Sequence, residues 1–252
     1  MISQIVKIKV SDFVYNILHN DAEKFEFINY KNEPNLNGLL NKLIPNLLDY
    51  RKLRRAETHR VLENEFMHKD ADKIYESVNT IIDRVYFSDA VLGDLEENIW
   101  FRPSVKNIAV FNEIADSETI ITAQSTSTYI RSLLNEYACL PEYKREQLLF
   151  NYEMYCSIQA CETGRLLHAN LGGKSIQIFA FDYVYEYTYK QSNLLIGYDL
   201  TNKIIGAIPL YKIKAPYLVE RKYKPSENLI NMLQKYYEDV EYDTITKYEV
   251  DV

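Results

Sequence analysis

Lys7 and Lys9 occupy alternate positions in QIVKIKVS, residues 4–11, and Trp100 and Arg102 do so in NIWFRPS, residues 98–104. Alternate residues of an extended chain share a face. The first run would therefore present its lysines, with Ile5, on one side and Val6, Ile8 and Val10 on the other. In the second run Ile99 and Phe101 form the apolar side. A row of cationic groups suits phosphate oxygens, although edge strands also carry lysines simply to prevent aggregation. Arg51, Lys52, Arg54 and Arg55 make a further basic cluster in YRKLRRAETHRVLENEF, residues 50–66. That cluster either contacts phosphates or belongs to a solvated helix face shared with Glu57 and Glu63.

Other chemistry is harder to find. His19, His59, His68 and His168 form no HxxxH or HExxH pair, and Cys156 and Cys161 fall on different helix faces, so no zinc site is expected. Gly172-Gly173-Lys174 lacks the spacing of a phosphate loop and reads as a turn. Serines and carboxylates are plentiful, but none sits in a recognisable nucleophile or acid–base setting. No enzyme activity and no cofactor are expected.

The 252 residues suffice for one large domain or two to three small ones, and 47% are apolar. The net charge of −7 argues against a generally basic nucleic-acid-binding surface. Charge is partitioned, however, with acids concentrated in the tail YYEDVEYDTITKYEVDV and bases between Lys42 and Arg60. Three cysteines without a CxxC pair suggest free thiols in a reducing compartment. No signal peptide and no spanning segment are read, so a cytoplasmic protein is expected. Twenty-two tyrosines suit half-buried strands and contact surfaces.

The elements that must position the cationic rows repeat. Ser11 is placed to cap a helix from Asp12 to about Lys24, with Phe13, Val14, Ile17 and Leu18 on one face. After a loop with Asn32, Pro34 and Asn35, NGLLNKLIPNLL carries Leu39, Leu40, Leu43, Ile44 and Leu47 as one stripe, in which Pro45 is expected to kink the helix or begin a new one. Ninety-three residues after the first strand, NIWFRPS sets Ile99 and Phe101 under Val6 and Ile8, and Ser104 under Ser11. A helix-like SVKNIAVFNEIAD follows. STYIRSLLNEY then sets Tyr129, Ile130, Leu133, Leu134 and Tyr137 under the leucine stripe at an offset of 90. A strand, a cap and a helix stripe recurring together argue for an internal repeat. Between the copies, KDADKIYESVNTIIDRVYF, residues 69–87, reads as an amphipathic helix.

From Ile176 the texture changes. IQIFAFDYVYEYTY and NLLIGYDLTNKIIGAIPLYKI read as strands, with a hairpin turn from Asp199 to Lys203. Ser226 to Tyr237 reads as a closing helix.

A strand with one polar face, followed by two helices, resembles the ribbon-helix-helix family. Members pair two such units through an antiparallel ribbon whose outward side chains enter the DNA major groove. The resemblance implies that Lys7, Lys9, Trp100 and Arg102 face the groove. It also implies that Asn35 and Asn37, with Ser125 and Ser127, mark two phosphate-holding helix starts. The strand-rich end resembles the WYL-domain family, a small Sm-like (SH3-like) β-barrel. NLLIGYD and GAIPLYKI carry that likeness, but Asn193 and Leu194 replace its aromatic pair and Gly206 replaces one of its two arginines. Lys212, Tyr198 and His168 remain as ligand-site candidates, and a barrel kept for assembly is the alternative.

The combination, with STSTYIRSLLNEYACLPEYKREQLLF, resembles the WYL-domain accessory proteins of type VI-D CRISPR systems, which bind RNA. The expected fold is α+β: a ribbon-helix-helix unit at 1–50, helices at 51–93, a second unit at 94–147 and a WYL-like barrel with closing helix and acidic tail at 148–252. The expected function is a nucleic-acid-binding regulator of the transcription-regulator kind. The alternatives are an RNA-binding accessory of an RNA-targeting CRISPR effector, in which tyrosines stack on unpaired bases, and a protein–protein adaptor. Expected partners are DNA or single-stranded RNA, a protein effector and a second copy in a homodimer, with no membrane.

Overall fold

The computed structural model describes residues 5–65, 71–82, 92–116, 125–184 and 192–241. Part of the expected 69–87 helix, the end of the tyrosine-rich strand, His68 and most of the acidic tail lie outside these residues. The chain forms two compact units, Met1–Leu140 and Pro141–Val252. No described helix is long and apolar enough to cross a membrane.

The first unit begins with β1 (Val6–Ser11) and α1 (Asp12–Lys24). Ser11 stays extended and its hydroxyl accepts the Val14 amide at 3.4 Å, which caps the helix. Helix α2 (Leu36–Glu65) runs through Pro45 and across residues 50 and 51, so the first repeat and the basic cluster share one continuous helix. Helix α3 (Ala71–Ile81) packs beside it. The second copy follows as β2 (Leu95–Phe101), a short 3-10 turn (Val105–Asn107), α4 (Ile108–Asp116) and α5 (Thr126–Ala138).

The two strands pair antiparallel with each other, placing Val6 opposite Phe101, Lys7 opposite Trp100 and Ile8 opposite Ile99. Under the 93-residue offset these positions exchange, so the Lys7–Trp100 pair lies on a local two-fold axis. Ile8, Val10, Ile99 and Phe101 are buried beneath the ribbon. Against them lie both repeated stripes, Leu39, Leu40, Leu43, Ile44 and Leu47 from α2 and Tyr129, Ile130, Leu133, Leu134 and Tyr137 from α5, all buried. Each such side chain contributes on the order of 1.5–3 kcal/mol. Neither repeat could bury its own stripe without the other.

The second unit opens with α6 (Glu142–Leu149) and α7 (Asn151–Thr163). Strands β3 (Arg165–Leu171), β4 (Lys174–Val184), β5 (Leu194–Asp199), β6 (Ile204–Pro209) and β7 (Lys214–Lys222) follow, and α8 (Glu227–Glu241) closes it. The strands form one antiparallel sheet in the order β6-β5-β4-β3-β7. Gly172 and Gly173, at φ 55° and 82°, make the β3–β4 turn, as the sequence suggests. In the Asp199–Lys203 hairpin the Asp199 carboxylate accepts the amides of Thr201 and Asn202. Helix α7 packs across β3, β4 and β7. Leu233 of α8 joins Leu166, Phe179, Leu194, Ile196 and Ile205 in one cluster.

The sheet curls. The Leu210 amide bonds the Asn193 carbonyl, next to the Leu194–Val184 pair, whereas Lys214 pairs with Asn170 and Asn170 with Ser175. A flat β4 would separate Ser175 from Val184 by roughly 30 Å. The four residue steps from Leu210 to Lys214 reach at most about 14 Å. A bulge between Ala180 and Asp182 supplies the bend. Gly197 faces it so closely that a Cβ would sit 2.5 Å from the Phe179 carbonyl oxygen.

The expected barrel is nevertheless not closed: among the described residues no ladder joins β6 to β7, and the sheet keeps two edges. The 3-10 turn Leu210–Lys212 occupies the step between those strands, and the Tyr236 hydroxyl of α8 accepts the Ala207 amide of β6. With that amide occupied by a helix side chain, the edge is protected without closure.

Candidate nucleic-acid interface

Strand alternation sorts the ribbon into two faces. Lys7, Lys9, Asn98 and Trp100 point outward and are exposed. Exposed Arg102 follows directly after β2, and Glu96 is the acid on the same side of that strand. Lys7 and Trp100 interact across the axis, the ammonium lying 5.2 Å from the indole centroid. Lys9 and Arg102, equivalent under the repeat, flank this pair. The structure thus brings four of the expected residues onto one surface.

The four expected helix-start residues do different work. The Asn35 side chain accepts the Gly38 amide at 2.9 Å and Ser125 accepts the Thr128 amide at 3.1 Å, so each caps its own helix. Asn37 accepts the Arg102 amide at 2.8 Å, and the Ser127 hydroxyl donates to the Lys7 carbonyl at 2.7 Å. Each second helix is thereby pinned to the strand of the other repeat. Asn41 strengthens one side, donating to the Arg102 carbonyl and accepting the Ser104 amide. All four stand at the two helix starts, as the sequence suggests, and their side chains are engaged by the protein's own backbone, which fixes the ribbon's position.

The basic cluster also divides. Arg51 is 4% exposed, and its guanidinium bonds the Glu136 carboxylate at 2.8 Å and the Ser132 hydroxyl and carbonyl at 3.1 Å. Arg54 meets the same carboxylate at 2.6 Å. Arg51 and Arg54 therefore bind α2 to α5 rather than forming a phosphate-binding patch. Arg55 is half-buried and Lys52 is exposed.

In the second unit, His168 bonds Ser175 at 2.7 Å and stacks on Tyr217 with ring centroids 4.4 Å apart. Tyr198 packs against the α8 cluster, and the Lys212 ammonium lies over the Tyr211 ring at 5.2 Å. Each of the three expected ligand residues is thus held by a separate set of neighbours.

The residue whose role sequence reasoning missed is Asn193, noted there only as a departure from the resembled family's aromatic pair. It is fully buried; its amide and side-chain nitrogen both donate to Glu146 Oε2, and its Oδ1 accepts from Gln147. Glu146 Oε1 takes the Tyr211 amide, so one carboxylate ties α6 to the start of β5 and to the 3-10 turn. No sequence signal marks this, since the partners lie dozens of positions apart.

The thiols are poorly disposed to nucleophilic chemistry. Burial pushes the Cys161 thiol up to about 12 and raises that of Cys156. Cys139 is exposed, and its thiol is raised by partial desolvation and by the Glu136 carboxylate, whose charge disfavours the thiolate. Among the described residues, no group of three His, Cys, Asp or Glu side chains could hold a metal ion.

No protein-family model matches the sequence, and no curated protein does. A solved structure described as a crystal structure of a CRISPR Cas-related protein is similar in fold, with a TM-score of 0.66 at 12% identity. The likeness covers 100% of this chain and 74% of that one. The two chains share a fold of the same α+β kind.

Proposed function

We propose that the protein is a nucleic-acid-binding accessory protein of a CRISPR system and that the outward face of the β1–β2 ribbon is its contact surface. The observation that carries this reading is the intrachain pairing that turns Lys7 and Lys9 outward beside Trp100 and Arg102. The CRISPR setting draws support from the structural likeness along the whole chain. In finer terms, the first unit is a tandem ribbon-helix-helix pair, and the curled sheet is a WYL-type module serving assembly. Its setting is cytoplasmic. Any second copy adds contact length, because one chain already completes the ribbon.

A second reading, a regulator of duplex DNA, is favoured by the local two-fold axis, since a two-stranded ribbon fits the major groove. Titrating the protein with single-stranded RNA and duplex DNA at several salt concentrations separates the readings. Binding should weaken steeply with salt. Lys7→Ala/Lys9→Ala should flatten the log–log slope by about 0.7 per lost single-strand phosphate contact. Duplex preference would favour the regulator, and failure to bind either at low salt would leave a protein–protein adaptor.

A further inference from the structure

Trp100 is the one tryptophan of the chain and lies 62% exposed at the centre of the ribbon. Its flanking outward residues are Lys7, Lys9, Asn98, Arg102 and the half-exposed Ile5, so a single aliphatic side chain among polar ones does not shelter it. The inward positions on either side, Ile99 and Phe101, are buried, which shows that the strand can bury aromatics where packing needs them. A base pair in the major groove is read at its edge by donors and acceptors. An indole offers a single N–H donor and a broad π face, a poor match to base edges. Unpaired bases present π faces of their own, and aromatics set among cations are the usual platform for them.

We propose that Trp100 is a stacking platform for an unpaired base of a single-stranded nucleic acid, with Lys7 supplying charge to the adjacent phosphate. This rests on the nucleic-acid reading above and narrows its substrate to single strands. The lysine stem is flexible, so its ammonium can leave the ring for a phosphate as a base arrives. Because Lys7 and Trp100 occupy the axis itself, one platform serves the whole ribbon.

The test uses the intact chain and its intrinsic fluorescence, excited where the tyrosines do not absorb. The probes are a short oligouridylate, which does not stack on itself, and a DNA duplex of equal length; labelled-oligonucleotide anisotropy measures binding separately. The expected result is quenching of Trp100 by the oligouridylate. Trp100→Ala should lose about 10-fold in single-strand affinity, with Trp100→Phe retaining most of it and duplex affinity unchanged. An unchanged melting temperature establishes that the exposed substitution leaves the fold intact. Binding without quenching, or equal losses for single strand and duplex, would overturn the stacking proposal while leaving nucleic-acid binding standing. Absence of any binding by anisotropy would overturn both.

Discussion

Glu136 is 1% exposed and carries the charge that lets two arginines of α2 lie against α5. Glu136→Gln preserves its shape but leaves Arg51 buried without a counter-charge. Losing one partner of such a pair costs on the order of 3–5 kcal/mol, to be read from urea unfolding of the purified variant. Gly197→Ala belongs to the same scale. Its methyl group would meet the Phe179 carbonyl oxygen at 2.5 Å and the Ile178 side chain at 2.8 Å. Overpacking at the bend should lower stability by about 1–3 kcal/mol. These residues also show where sequence reading stops. Arg51 stands in a run of basic residues and looks solvated, because nothing local reveals a carboxylate eighty-five positions ahead. Lys7, by contrast, was legible, since strand alternation alone assigns it to the polar face.

At the scale of elements, His59 joins α2 to α3. Its Nε2 lies 2.9 Å from Asp72, its Nδ1 3.5 Å from Glu63, and its ring meets Tyr75 edge-on. The bond to Asp72, with the neighbouring carboxylates, raises its pKa above the ordinary 6.5. A raised folded-state value stabilises the folded form fully below the unfolded value, and that stabilisation is lost as pH rises through the folded one. The difference in melting temperature between wild type and His59→Gln should therefore be largest near pH 5 and shrink towards about pH 8. Helix caps were legible: Ser11 caps α1, and Ser11→Ala should cost about 1 kcal/mol in thermal unfolding. The stripes of α2 and α5 were legible for the same reason, because burial imposes helical spacing. Of the two expectations for Pro45, a kink or a new start, the second does not hold, since α2 runs through it without ending.

At the scale of the molecule, the first unit resembles a dimer made within one chain. Its β1–β2 pairing requires no second copy, so its melting temperature should not depend on protein concentration. A fragment of residues 1–140 should fold, whereas 1–65 alone should not, having no mate for Leu39, Leu40, Leu43 and Ile44. Circular dichroism melts of both fragments over a range of concentrations would check this. The repeat was visible in the sequence because its offset recurs over strand and helix stripe; the cap does not recur, since Ser104, set under Ser11, makes no side-chain capping bond. Whether the five-stranded sheet would close was not visible, since closure depends on how far the chain travels between β6 and β7.

Linking two halves in tandem frees them to diverge. Where identical subunits meet, any outward residue on the axis faces its own twin; here a lysine faces a tryptophan. Such a surface has a front and a back. For the proposed nucleic-acid contact this means no need of a palindrome, and a strand threaded 5′ to 3′ would meet different chemistry from one threaded in reverse.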